Sequence, residues 1–194
     1  MIHLVLGGAR SGKSSYAESL CFDLSSSINT PVAMNYIATA ESFNDAEMQA
    51  RIAKHQQDRT LDRNKTWLTT ECPVQLPELL ASLDLHQENI YLIDCLTLWI
   101  NNVIYHLGEE VTQSQVASAT EQLCIELTKF SANKTNHIVL VANEVGLGVV
   151  PLGSVSRLFV DNAGWLNQKI AKLADTVTLV TAGIPLPLKG NNHD

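Results

Sequence analysis

The chain has 194 residues, 45% of them apolar, enough to bury a substantial core, so one α/β domain spanning residues 1–194 is the default expectation. Its formal charge of −7 excludes a broad nucleic-acid surface, because an acidic chain must concentrate its few cations wherever it holds phosphates. No apolar run approaches the roughly 20 residues that cross a bilayer. The amino terminus passes directly into a strand without a charged leader, so a cytoplasmic protein is expected.

In chain order, Ile2 to Leu6 has the apolar character of a strand buried on both faces of a parallel sheet. Gly7-Gly8-Ala9-Arg10-Ser11-Gly12-Lys13-Ser14 follows and matches G-x-x-x-x-G-K-[ST]. Glycines let such a backbone curl so that several N–H groups point at one phosphate chain, and the next helix aims its positive end there. In that pattern Lys13 reaches the outer phosphates and the Ser14 hydroxyl joins a magnesium shell. The spacing of Tyr16, Ala17, Leu20 and Leu24 predicts a helix from Lys13 to about Leu24, punctuated by Ser25-Ser26-Ser27. Val32 to Thr39 reads as a second strand, with Ala38-Thr39-Ala40 at its carboxyl end.

Phe43 to Arg59 reads as a helix with Asp45 and Glu47 in its first turn, where acids suit the dipole. Glu47, Arg51, His55 and Arg59 recur every four residues and share one face, while Met48 and Ile52 supply only a narrow apolar stripe. Such a helix is either solvated or turned toward a ligand, and composition alone favours solvation. Thr66 to Thr70 is a short strand ending at Glu71, and Pro73 to Leu85 reads as a helix that tolerates Pro77 near its first turn. Ile90 to Asp94 is an apolar strand closing on a carboxylate. There Asp94 is equally a Walker-B-type magnesium residue or the N-cap of the helix from Leu96 onward.

Helices are expected from Thr97 to His106, stopped by Gly108, and from Thr112 to Ala132. His137 to Ala142 is the next strand, leading into Asn143-Glu144-Val145-Gly146-Leu147-Gly148. Ser154 to Leu173 is the clearest amphipathic helix, Val177 to Val180 the last strand, and Pro185 to Asp194 a loose end. Cys21, Cys72, Cys95 and Cys124 lie far apart without metal-ligand spacing and read as reduced, buried thiols. Alternating strands and helices predict a mostly parallel sheet covered on both faces, with ligands held beyond the carboxyl ends of its strands. The cradle, Ala38-Thr39-Ala40, Glu71, Asp94 and Asn143-Glu144 all fall at those ends.

Several blocks, in order, resemble one family. They are the Gly7–Ser14 cradle, Tyr36-Ile37-Ala38-Thr39, Arg51-Ile52-x-x-His55-x-x-x-Arg59 and Trp67-x-Thr69-x-Glu71. Asp94-Cys95-Leu96-Thr97-Leu98-Trp99-x-x-Asn102, Asn143-Glu144-Val145-Gly146-x-Gly148-x-Val150-Pro151, and Arg157 through Asn167-Gln168 agree too. Together they resemble the bifunctional adenosylcobinamide kinase and adenosylcobinamide-phosphate guanylyltransferase of cobalamin biosynthesis. The resemblance implies a P-loop NTPase-type, RecA-like fold. It also implies two reactions: ATP or GTP phosphorylates adenosylcobinamide, and GTP then gives GMP to that phosphate with release of pyrophosphate. The guanylyl carrier of the family maps to His55, which overturns the solvated-helix reading.

The resemblance further implies magnesium bound with ATP or GTP, with Ser14 and Asp94 as its candidate ligands, and nucleotide contacts from the cradle, Ala38, Thr39, Ala40, Glu71 and Asp94, the last serving either the metal or the base side. Lys13 with Arg51 or Arg59 would stabilise the transferring phosphate. The spacing from His55 to Trp67 is longer than is usual in the family, so Arg63 is an alternative to Arg59. A homotrimer is implied as well. Two rival readings remain: an ordinary P-loop small-molecule kinase, and a GTP switch module. The second would rest on Asn133-Lys134-Thr135-Asn136 and Asp161-Asn162-Ala163-Gly164, but the first of these precedes a strand and the second lies inside a core helix.

Overall fold

Alternating side chains along buried strands give the sheet two apolar faces, and each face carries its own core. The computed structural model describes residues 1–41, 67–148 and 151–190. Among these, the strands are β1 (Ile2–Gly7), β2 (Ala33–Ala38), β3 (Trp67–Glu71), β4 (Asn89–Asp94), β5 (His137–Asn143), β6 (Thr176–Thr181) and β7 (Ile184–Lys189). The helices are α1 (Lys13–Ser27), α2 (Leu76–Ala81), α3 (Leu96–Leu107), α4 (Gln113–Ser131) and α5 (Ser154–Leu173). The strands form one sheet in the order β3-β2-β4-β5-β1-β6-β7, parallel except for β7. The α/β, mostly parallel architecture expected from the sequence is therefore present, with helices on both faces. The expected helix Phe43–Arg59, with Arg51, His55, Arg59 and Arg63, lies outside the described residues.

On one face Val5, Leu92, Val139 and Val141 pack with Ala17 and Cys21 of α1. On the other, Leu4, Ile93 and Leu140 pack with Trp99 of α3, Leu123 of α4 and Leu166 of α5. Each of the Val, Leu and Ile side chains so removed from water contributes about 1.5–3 kcal/mol. The four cysteines are free and buried, as the sequence predicts.

Three boundaries depart from the sequence reading. Helix α1 continues through the serine run, because Ser26 Oγ donates to Phe22 O at 2.8 Å and Ser27 Oγ to Leu24 O at 2.7 Å, so these hydroxyls bond within the helix and not against it. Helix α2 is shorter than Pro73–Leu85. Its would-be first residues are held along α3, where Asn102 Nδ2 donates to Pro73 O at 3.0 Å and Trp99 Nε1 to Val74 O at 2.8 Å.

The third departure is the tail, which is not a loose end. Ala182 (φ 51°) and Gly183 (φ 77°) form a two-residue turn with both φ positive, and β7 returns antiparallel along β6. Pro185 and Pro187 are tolerated because β7 is an edge strand. Lys189 Nζ then donates to Ala171 O, Lys172 O and Ala174 O at 3.0, 3.1 and 2.6 Å, neutralising the negative end of α5.

At the amino-terminal edge of the sheet His3 is buried and stacked on His137, with His3 Nε2 and His137 Nδ1 3.1 Å apart and His3 Nδ1 2.9 Å from Thr176 Oγ1. Burial first, then His137 and the chain amino group, push His3 down to about 4, against the opposing pull of Asp175. The folded value lies below the unfolded one, so the unfolded chain binds the extra proton and stability is lost as pH falls from about 6.5 toward 4. The full loss is about 3 kcal/mol. Urea midpoints should fall between pH 6.5 and 5, and a His3→Gln variant should flatten that slope. A midpoint independent of pH across this window contradicts the buried neutral pair.

Candidate functional site

The cradle is built where β1 ends against β5 and β6, with Gly7 opposite both Asn143 and Val180. A Cβ on Gly7 would stand 2.4 Å from Ser11 Oγ and 2.6 Å from Val180 O, so only glycine lets the loop fold back over the strand end. Gly12 turns the chain into α1 with φ 93°. No side chain caps that helix and its first turn carries no acid, which leaves its N–H groups facing the cradle. Lys13 is buried and donates from Nζ to Gly8 O at 3.1 Å, crossing the loop it belongs to. The β6–β7 turn braces the loop from outside, Gly183 N donating to Ser11 O at 2.8 Å.

Register aligns the other candidates. Ala38 lies opposite Glu71 on one side and Asp94 on the other, and Asp94 lies opposite Val141. Side chains alternate along strands and neighbours in register share a face, so Ala38, Glu71, Asp94, Asn143 and Gly7 all belong to the face covered by α1. Tyr36, on the same face, donates its phenol to Asp94 Oδ2 at 3.3 Å. The N-cap of α3 is Cys95, not Asp94, which removes the capping reading of that carboxylate. Burial, with Asp94 adding to it, pushes the Cys95 thiol up to about 12, so it offers no thiolate beside the cradle.

Thr39 is fully buried and acts as a bracket. Its Oγ1 donates to Cys95 O and accepts from Cys95 N, each at 2.7 Å, while its carbonyl accepts from Asn102 Nδ2 at 2.8 Å. Its polar groups are thus satisfied by the protein, and Ala38 and Ala40, both partly exposed, are the parts of this stretch open to the rim. Glu71 stands exposed at the end of β3. Glu41, the last described residue before the segment bearing His55, meets His106 of α3 at 2.9 Å, an exposed pair of small energetic weight.

A second bracket holds the end of β5. Asn143 N donates to Thr97 Oγ1 at 2.6 Å, and Asn143 O accepts from Asn167 Nδ2 at 3.1 Å. Sequence reading included Thr97, Asn102, Asn143 and Asn167 in the matched blocks without assigning any a role. Their work depends on register and helix docking, for which spacing carries no signal.

Asn133 and Asn136 donate to Leu85 O, and Asn136 Oδ1 accepts from Asn89 N at 2.8 Å, so this stretch ties down the amino-terminal ends of β4 and β5, opposite the cradle. Asp161–Gly164 lies within α5, where Asn162 pairs with Gln113 at 2.9 Å. Neither motif of the switch-module reading approaches the site.

Over the whole chain the likeness to a solved structure from Pyrococcus horikoshii concerns the fold alone: TM-score 0.53 at 10% identity, covering 99% of this chain and 87% of that one. Sequence relatives are more informative. The chain is 41% identical to the bifunctional adenosylcobalamin biosynthesis protein CobP of Pseudomonas aeruginosa, covering 98% of each. It is 38% and 36% identical to the bifunctional adenosylcobalamin biosynthesis proteins CobU of Salmonella typhimurium and Escherichia coli, covering 97% of this chain and 100% of each of those. A family model described as cobinamide kinase / cobinamide phosphate guanyltransferase matches residues 3–188. With a P-loop cradle and the Asp94 carboxylate on one face of its sheet, the chain belongs to the cobinamide kinase / cobinamide phosphate guanyltransferase family of bifunctional cobalamin biosynthesis enzymes.

Proposed function

We propose that this enzyme phosphorylates the aminopropanol hydroxyl of adenosylcobinamide with ATP or GTP. It then transfers GMP from GTP to the resulting phosphate through a guanylylated His55, giving adenosylcobinamide-GDP and pyrophosphate. The observation that carries the reading is the convergence, in register, of the cradle, Lys13 and Asp94 on the α1 face of the sheet. In the first step the hydroxyl oxygen bonds to the γ-phosphorus as the bond to the departing diphosphate breaks. In the second, a neutral imidazole nitrogen of His55 attacks the α-phosphorus and pyrophosphate leaves. An oxygen of the corrinoid phosphate then attacks the same phosphorus, breaking the P–N bond and freeing the imidazole.

Gly7 to Ser14 cradle the phosphates, with Ala38, Ala40 and Glu71 around the nucleotide. The Thr39 bracket holds that edge in place. Lys13, with Arg51 and Arg59 or Arg63, offsets charge on the transferring group. The donors at the rim, the Ser14 hydroxyl and the Asp94 carboxylate, are the hard oxygens that magnesium prefers, and the ion would supply charge neutralisation of the phosphates there. The proposal includes a single cytoplasmic domain; no helix among the described residues is long and apolar enough to cross a membrane. It also includes a homotrimer, for which light scattering should give a mass near three times 21.2 kDa.

Incubation with GTP labelled at the α or the γ position tests the covalent step. Label retained from the α position, acid-labile and absent in His55→Ala, is the expected result. Transfer of γ label alone, with His55→Ala behaving like the parent, leaves a kinase and removes the transferase mechanism.

A further inference from the structure

We propose that Asn143 belongs to the nucleotide site, its side-chain oxygen accepting a hydrogen bond from an O–H group bound there. The source is a water of the magnesium shell or the hydroxyl that receives the phosphoryl group. The assignment rests on the proposed kinase activity.

β5 runs between β4, which ends in Asp94, and β1, which ends in the cradle. Val141 lies opposite both Val5 and Asp94, and Asn143, two residues on, lies opposite Gly7. The side chain of Asn143 therefore stands on the α1 face between the carboxylate and the phosphate loop. Its backbone is clamped by Thr97 of α3 and Asn167 of α5, both buried, so the position is built and not incidental.

The amide carries the point that needs explaining. Among the described residues, Asn143 Oδ1 is buried and accepts from no protein group, and across Gly7 the Ser11 Oγ is in the same condition. An acceptor left so costs about 1–3 kcal/mol and is retained where something else satisfies it. Phosphate oxygens do not satisfy it, being acceptors themselves; an O–H does. The residue as a whole is partly exposed, which places it at the border of the rim. A neutral amide orients a hydroxyl without taking its proton. In phosphoryl transfer the hydroxyl oxygen bonds to the γ-phosphorus, the bond to the departing diphosphate breaks, and the proton leaves with the new phosphate ester.

Asn143→Leu removes the acceptor at similar volume and Asn143→Asp keeps it. Where leucine disturbs the fold, Asn143→Ser, which draws the oxygen back, serves in its place. Binding of a fluorescent GTP analogue with magnesium or with EDTA, and steady-state kinase rates, are compared in the full chain. If the donor is a shell water, Asn143→Leu weakens binding about tenfold in magnesium and not in EDTA. If it is the acceptor hydroxyl, binding is unchanged and kcat falls about tenfold. In either case Asn143→Asp recovers most of the loss. Parent-like binding and kcat in Asn143→Leu overturn the assignment, as does weakening equal with and without magnesium. An inactive parent overturns the kinase reading, and the assignment with it.

Discussion

The Lys13→Met protein is expected to fold like the parent and to lose roughly 10²–10³-fold in phosphoryl transfer. Among the described residues the ammonium makes one hydrogen bond, to Gly8 O at 3.1 Å, and its loss costs about 1 kcal/mol. For a chain of this size that is a fall in Tm of about 2–4 °C. The catalytic loss is larger because Lys13 is buried within the cradle, where a charge acts through little water and is already in place when negative charge develops on the transferring group. Thermal melts and kcat for adenosylcobinamide phosphorylation separate the two effects. A fall in kcat below about fivefold removes Lys13 from the transferred group. A parallel loss in guanylyl transfer shows that one cradle serves both reactions.

Gly7→Ala should damage stability and binding together. The added methyl meets Val180 O at 2.6 Å, a backbone atom inside the sheet that has no room to withdraw, as well as Ser11 Oγ at 2.4 Å. Overpacking of this kind costs about 1–3 kcal/mol, a drop of about 2–12 °C in Tm. Because the strain falls on the turn that curls the loop, GTP affinity falls with it. Gly8→Ala is the control: among the described residues nothing lies within 4 Å of its added Cβ, and its Tm should match the parent. Equal Tm values for the two variants contradict the close approach of β1 to β6 at Gly7.

The legible parts of the chain are those whose chemistry is local. The cradle is eight consecutive residues with a strand before and a helix after, so its backbone curl follows from its own glycines. Helix α5 spans Ser154–Leu173, as its apolar stripe predicts, because an amphipathic period repeats often enough over that length to mark both ends. The tail was not legible. Pro185 and Pro187 read as a loop until β6 pairs with β7 and Lys189 reaches the carbonyl end of α5. Asp94 carried two readings of equal weight, and its capping reading fell only when the structure gave Cys95 as the N-cap of α3.

The sequence by itself determined that a phosphate-cradle pattern follows the first strand, that the sheet is mostly parallel with helices on both faces, and that the ordered blocks resemble a bifunctional kinase and guanylyltransferase. These follow from residues close in the chain, where spacing and backbone preference suffice. Only the tertiary structure decided that Asp94, Asn143 and Gly7 share one face at one rim, that Thr39 is a bracket with its polar groups occupied, and that the β6–β7 turn braces the cradle through Gly183 and Ser11. Those facts depend on strand register and helix docking, set by side chains far apart in the chain, from Thr39 with Cys95 to Ser11 with Gly183, and a linear pattern does not encode a register before the sheet has formed.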